Sequence, residues 1–72
     1  MLTVNQLYLM MSCRKNGISA ELLPHFLLRC SLTDSQFVEL IRDGILETKK
    51  GRLVLTKAGE RMYKIEHAKG YF

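Results

Sequence analysis

The chain has no tryptophan, one proline, two cysteines and no long apolar run. A helix that crosses a bilayer needs roughly 18–20 consecutive apolar residues. The longest early apolar stretch here, Leu7-Tyr8-Leu9-Met10-Met11, soon gives way to Arg14-Lys15. No membrane contact is expected. Met1-Leu2-Thr3-Val4-Asn5-Gln6 lacks the basic region of a secretion signal, so the expected location is cytoplasmic. Two thiols, Cys13 and Cys30, are too few for a disulfide framework and are expected to be free, filling core space. Cys13, His25, Cys30 and His67 match no zinc-ligand spacing, so neither metal nor cofactor is expected. There is no nucleophile elbow, no phosphate-cradling glycine loop and no carboxylate pair with a nearby histidine. The glycines at 17, 44, 51, 59 and 70 are scattered as punctuation. The expectation is a protein without catalytic activity.

What is present is apolar surface and unevenly placed charge. The 72 residues form a single domain, 1–72, of which 47% are hydrophobic. A chain this short buries only about 60% of the surface its unfolded form exposes, so spare apolar surface favours a homodimer. The net charge is +4. Residues 1–48 hold four Lys/Arg against five Asp/Glu, whereas residues 49–72 hold seven against two. The basic character therefore belongs to the last third of the chain, and such a patch suits a polyanion.

Local signals divide the chain. Thr3 with Gln6 is a capping box, and Val4, Leu7, Tyr8 and Met11 follow helical spacing, which predicts a first helix over 3–15, ended by Asn16-Gly17. Ser19 and the stripe Leu22, Leu23, Phe26, Leu27, Cys30 predict a second over 19–30, with Pro24 tolerated in its early turns. Thr33 with Gln36 is another capping box and opens a third helix over 34–43, stopped by Asp43-Gly44. Ile45-Leu46 and Leu53-Val54-Leu55 flank Lys49-Lys50-Gly51-Arg52, which predicts a β-hairpin with a cationic tip. Thr56 caps a fourth helix from Lys57 into the sixties, with Ala58, Met62 and Ile65 on its apolar face. Gly70 ends it, and Tyr71-Phe72 form an aromatic tail that would support dimerisation. The expected core is Leu7, Met11, Leu23, Leu27, Phe37, Leu40, Ile41, Leu53, Leu55 and Met62.

Three helices, a hairpin and a closing helix resemble the winged helix-turn-helix proteins of bacterial and phage transcriptional regulation. Leu40-Ile41-Arg42-Asp43-Gly44-Ile45-Leu46-Glu47 looks like the family's exit from the third helix into the wing. Leu55-Thr56-Lys57-Ala58-Gly59 looks like its Leu-Thr-x-x-Gly at the start of the next helix. The resemblance covers about residues 19–66. It implies a mainly α fold with a small hairpin and a small DNA-binding regulator of double-stranded DNA. The third helix would then present Thr33, Ser35, Gln36, Glu39 and Arg42 to the groove, and the wing Lys49, Lys50 and Arg52, with Lys57 beyond it. Gln36 suits adenine and Arg42 guanine. Asp34, Glu39 and Asp43 on the third helix oppose phosphate contact. A second reading therefore stands beside the first: a small phage- or plasmid-type protein-binding module or inhibitor, for example of a host nucleic-acid enzyme, on the same scaffold. It would dock an acidic partner surface through the wing and the fourth helix.

Overall fold

Thr3 opens the chain's first helix as its residues dictate. In the computed structural model, which describes residues 2–70, its hydroxyl accepts from the Gln6 amide (3.1 Å) and the Gln6 side chain accepts from the Thr3 N–H (2.8 Å). The order is α1 (Val4–Ser12), β1 (Ile18–Ser19), a 3-10 turn (Ala20–Leu22), α2 (Leu23–Arg29), α3 (Asp34–Arg42), β2 (Leu46–Lys49), β3 (Arg52–Leu55) and α4 (Lys57–Ala68). The fold is mainly helical, with one small antiparallel sheet in the order β1-β3-β2. Among the described residues no helix is long and apolar enough to cross a membrane. The Tyr71-Phe72 tail lies outside the described residues.

The hairpin is present, but it has a third strand. Ile18 pairs with Leu53 and Ser19 with Arg52, antiparallel. This corrects the reading of Ser19 as a helix cap. The Ser19 side chain makes no capping bond, and the segment 19–30 divides into strand, 3-10 turn and a seven-residue helix with Pro24 in its first turn. Pro24 lacks an N–H and is tolerated in the first turn of a helix, where no intrahelical partner is needed, which is where α2 places it.

The inner sheet face carries Ile18, Leu46, Leu53 and Leu55 against the helices. Leu7, Leu9, Met10, Cys13, Leu32, Leu40, Ile45 and Tyr63 complete one buried cluster, with Leu23, Leu27, Phe37 and Leu55 half-buried beside it. Three expected core residues are not in it: Met11, Ile41 and Met62 are exposed. The cause is helix rotation. In α1 the buried positions are Gln6, Leu7, Leu9 and Met10, so Val4, Tyr8 and Met11 point outward. In α4 they are Gly59, Tyr63 and Glu66, one residue on from the expected Ala58, Met62 and Ile65. Both helices turn because their neighbours demand it. Gln6 Nε2 donates to the Gln36 carbonyl (3.0 Å) and to Glu39 Oε2 (3.3 Å), tying α1 to α3. Arg14 binds Glu60 at 2.6 Å and lies 4.3 Å above the Tyr63 ring, tying the end of α1 to α4.

Both cysteines are free. Burial, with a smaller contribution from nearby Cys30, pushes the Cys13 thiol up to about 12. Partial burial raises Cys30 as well. Both shifts make the thiolate harder to form.

Candidate functional site

The hairpin tip between β2 and β3 is a two-residue turn. Lys50 (φ 52°) and Gly51 (φ 74°) both take positive φ, as a type I′ hairpin turn requires, and Lys49 pairs across it with Arg52. The tip does not stand free. The Ala20 amide donates to the Gly51 carbonyl at 3.0 Å. Arg52 turns back along the sheet, donating from Nε to the Asn16 carbonyl (2.8 Å) and from Nη2 to the Gly17 carbonyl (3.1 Å). Gly17 passes so close to β3 that a Cβ there would sit 2.5 Å from the Leu53 carbonyl oxygen. Three cations adjacent in sequence therefore divide into two kinds. Lys49 and Lys50 extend from the tip, exposed, whereas Arg52 braces the hairpin against the α1–β1 turn.

That division is testable. Arg52→Ala removes two charge-assisted bonds to backbone carbonyls and should cost about 1–2 kcal/mol, reduced from the usual range by exposure. Lys49→Ala and Lys50→Ala should each change stability by less than about 0.5 kcal/mol. Urea midpoints for the three variants measure the difference. Equal midpoints would mean that Arg52 does not brace the hairpin.

On α3 two of the expected groove-facing residues, Thr33 and Gln36, also form the helix cap. The Thr33 hydroxyl accepts from the Gln36 amide (3.2 Å), and Gln36 Oε1 accepts from the Thr33 N–H (3.0 Å). A glutamine held this way has its oxygen already accepting one hydrogen bond and its side chain turned back toward the start of the helix. Glu39 leans toward α1 through Gln6. Ser35 and Arg42 do face outward, but Val38 and Ile41 are exposed with them. Arg42 Nε lies 3.8 Å from Asp43 Oδ1, with both side chains well exposed. The outward face of α3 is therefore mixed, with one cation already next to an acid.

The fourth helix carries what the residue types alone understated. Lys57, Arg61 and Lys64 recur at i, i+4 and i+7, which places them on one side of α4, opposite buried Gly59, Tyr63 and Glu66. All three are exposed. The two acids of this region are turned elsewhere: Glu60 is engaged by Arg14, and Glu66 is buried with Lys69 Nζ 3.5 Å away. Lys57 occupies the first position of the helix, where the positive end of the helix dipole disfavours a cation. Helix stability therefore does not account for it. Arg61 and Lys64 join Lys49, Lys50 and Lys57 as candidate contacts, and their regular spacing was the signal available in the sequence. None of the five is in an ion pair among the described residues.

Among the described residues no group of three His, Cys, Asp or Glu side chains is placed to hold a metal. No family model, curated protein or solved structure matches this chain.

Proposed function

We propose that this chain is a small winged-helix-like DNA-binding protein whose affinity comes mainly from the wing tip and α4, with α3 contributing through Ser35 and Arg42. The supporting observation is the sorting of charge. Lys49, Lys50, Lys57, Arg61 and Lys64 face solvent, while Glu60 and Glu66 are drawn into contacts with Arg14 and Lys69. The wing tip and Lys57 lie at opposite ends of β3, whose four residues span roughly 10 Å. Duplex DNA, with one charge per about 1.7 Å of axis, offers phosphates to both at once.

Fluorescence anisotropy with random duplex DNA across a salt series tests this. Each neutralised phosphate contributes a slope of roughly −0.9 in log affinity against log salt, so five contacts give a slope of about −4 to −5. The double change Lys49→Ala with Lys50→Ala should flatten the slope by roughly 2 and weaken all sequences alike, since backbone contacts carry no base information. An absence of binding to duplex DNA even at low salt would overturn the proposal.

One observation favours a second reading. With Gln36 and Thr33 committed to the cap, and Val38 and Ile41 exposed, α3 is poorly furnished for reading bases. A protein-binding module that docks the same cations on an acidic partner surface would make no such demand on α3. In that case DNA binding fails while the Lys49 and Lys50 changes still weaken capture of the acidic protein.

A further inference from the structure

The chain has two asparagines, and the fold treats them differently. Asn5 lies inside α1 and is followed by Gln6, whose N–H is committed to the Thr3 hydroxyl at 3.1 Å. Asn16 is exposed in the turn between α1 and β1 and is followed by Gly17. Glycine has no Cβ, so its nitrogen is the least shielded backbone neighbour that an asparagine side chain can have.

The same dipeptide is where Arg52 takes hold. Its Nε donates to the Asn16 carbonyl at 2.8 Å and its Nη2 to the Gly17 carbonyl at 3.1 Å, one on either side of the Gly17 nitrogen. Gly17 is also pressed against β3, close to the Leu53 carbonyl and Val54 Cγ1.

We propose that Asn16-Gly17 is a site of spontaneous covalent modification and that the Arg52 brace sets its rate. The Gly17 nitrogen loses its proton to solvent base and attacks Asn16 Cγ. The new C–N bond forms, the Cγ–Nδ2 bond breaks, and Nδ2 leaves as ammonia, giving a cyclic imide. Water opens the imide at either carbonyl. One opening leaves an ordinary aspartate, and the other leaves isoaspartate, in which the main chain runs through Cβ. Water is the only co-reactant and nothing is oxidised or reduced. Attack requires the peptide between Asn16 and Gly17 to turn toward the side chain. Arg52 opposes that turn, so the reaction runs through local opening of this segment and not through unfolding of the whole chain. The isoaspartate form adds a carbon to the main chain just before Ile18 meets Leu53, so both Arg52 bonds and the strand pairing cannot be kept together. The inference involves none of the five cations assigned above to DNA.

The parent, Arg52→Ala and Phe37→Ala are incubated at mildly alkaline pH, at a temperature where circular dichroism shows all three folded. Tryptic peptides are then read by mass. The mass gain of an amide exchanged for an acid should appear in the peptide Asn16–Arg29, as two products that separate by chromatography, while the peptide containing Asn5 stays unchanged. Arg52→Ala should speed the reaction by roughly 5- to 30-fold, the increase in open segment expected when such a brace is lost. Phe37→Ala loosens the fold without touching the turn and should stay near the parent's rate. Equal acceleration in both variants would place the reaction in the globally unfolded chain and overturn the proposal. A slower reaction in Arg52→Ala overturns it too, because the guanidinium would then be promoting attack by polarising the Asn16 carbonyl. So does a peptide Asn16–Arg29 that gains no mass in either the parent or Arg52→Ala, or a gain at Asn5 as fast as at Asn16.

Discussion

Gly59→Ala should lower the melting temperature sharply, although it replaces a poor helix former with the best one. In an isolated helix that change is worth about 1 kcal/mol in favour of alanine. Here Gly59 lies in the first turn of α4, buried against the connection into β2. A Cβ at this position would strike the Ile45 carbonyl oxygen, well inside contact distance, and would meet Leu55 Cδ1 at 2.8 Å. The carbonyl has little freedom to yield. It accepts the Thr56 N–H at 3.0 Å, while the Thr56 hydroxyl is shared between the Gly44 (2.6 Å) and Ile45 (3.1 Å) carbonyls, and these bonds hold the start of α4 to the base of the hairpin. Overpacking of this kind costs about 1–3 kcal/mol, and a rigid backbone neighbour places Gly59 at the top of that range. For a domain of this size 3 kcal/mol is a fall of roughly 12–24 °C. A melting temperature that rises instead would mean that α4 does not approach the hairpin this closely.

Leu40→Ala should be comparably severe. Leu40 is the one residue of α3 that is fully buried, with no exposed surface. Removing a buried leucine typically costs 2–5 kcal/mol, because the cavity closes only in part. A site with this much surrounding structure should give about 3–4 kcal/mol. A chain of 72 residues has about 4–11 kcal/mol of stability in all, so much of it would go. Phe37→Ala provides the comparison. Its ring is the larger, but the structure leaves it half-buried, so about 2 kcal/mol is expected, below the usual range for a buried phenylalanine. Denaturant unfolding of both variants fixes the order. A greater loss at Phe37 would mean that α3 is rotated from the position described here.

The same rotation separates what was legible in advance from what was not. Both capping boxes form between the residues that signal them, Thr3 with Gln6 and Thr33 with Gln36. Thr56 caps α4 by accepting from the Gly59 amide at 2.9 Å. The turn at Lys50-Gly51 and the helix end at Gly70 fall where glycine marks them. Each of these depends on atoms two to four residues apart, so the local chain contains the whole cause. The charge asymmetry is equally a property of the chain alone. At the candidate site Lys49, Lys50, Lys57, Ser35 and Arg42 lie exposed as expected, because nothing distant competes for them.

The facing of α1 was not legible, because apolar residues surround it: Val4, Leu7, Tyr8, Leu9, Met10 and Met11 define no single stripe. Periodicity cannot choose a phase from such a ring. Gln6, bonding across to α3, chooses it. The third strand was hidden because Ile18-Ser19 is too short to show alternation, and it exists only where Leu53 and Arg52 meet it, more than thirty positions along the chain. Arg52 looked like its two lysine neighbours until the Asn16 and Gly17 carbonyls came within its reach. Sequence alone settled the starts of α1, α3 and α4, the hairpin turn and the placement of charge, since short-range hydrogen bonds and fixed backbone preferences decide them. Only the tertiary structure decided which face of each helix is buried, which cation braces the sheet and why residue 59 has no side chain, since those depend on surfaces that folding brings together.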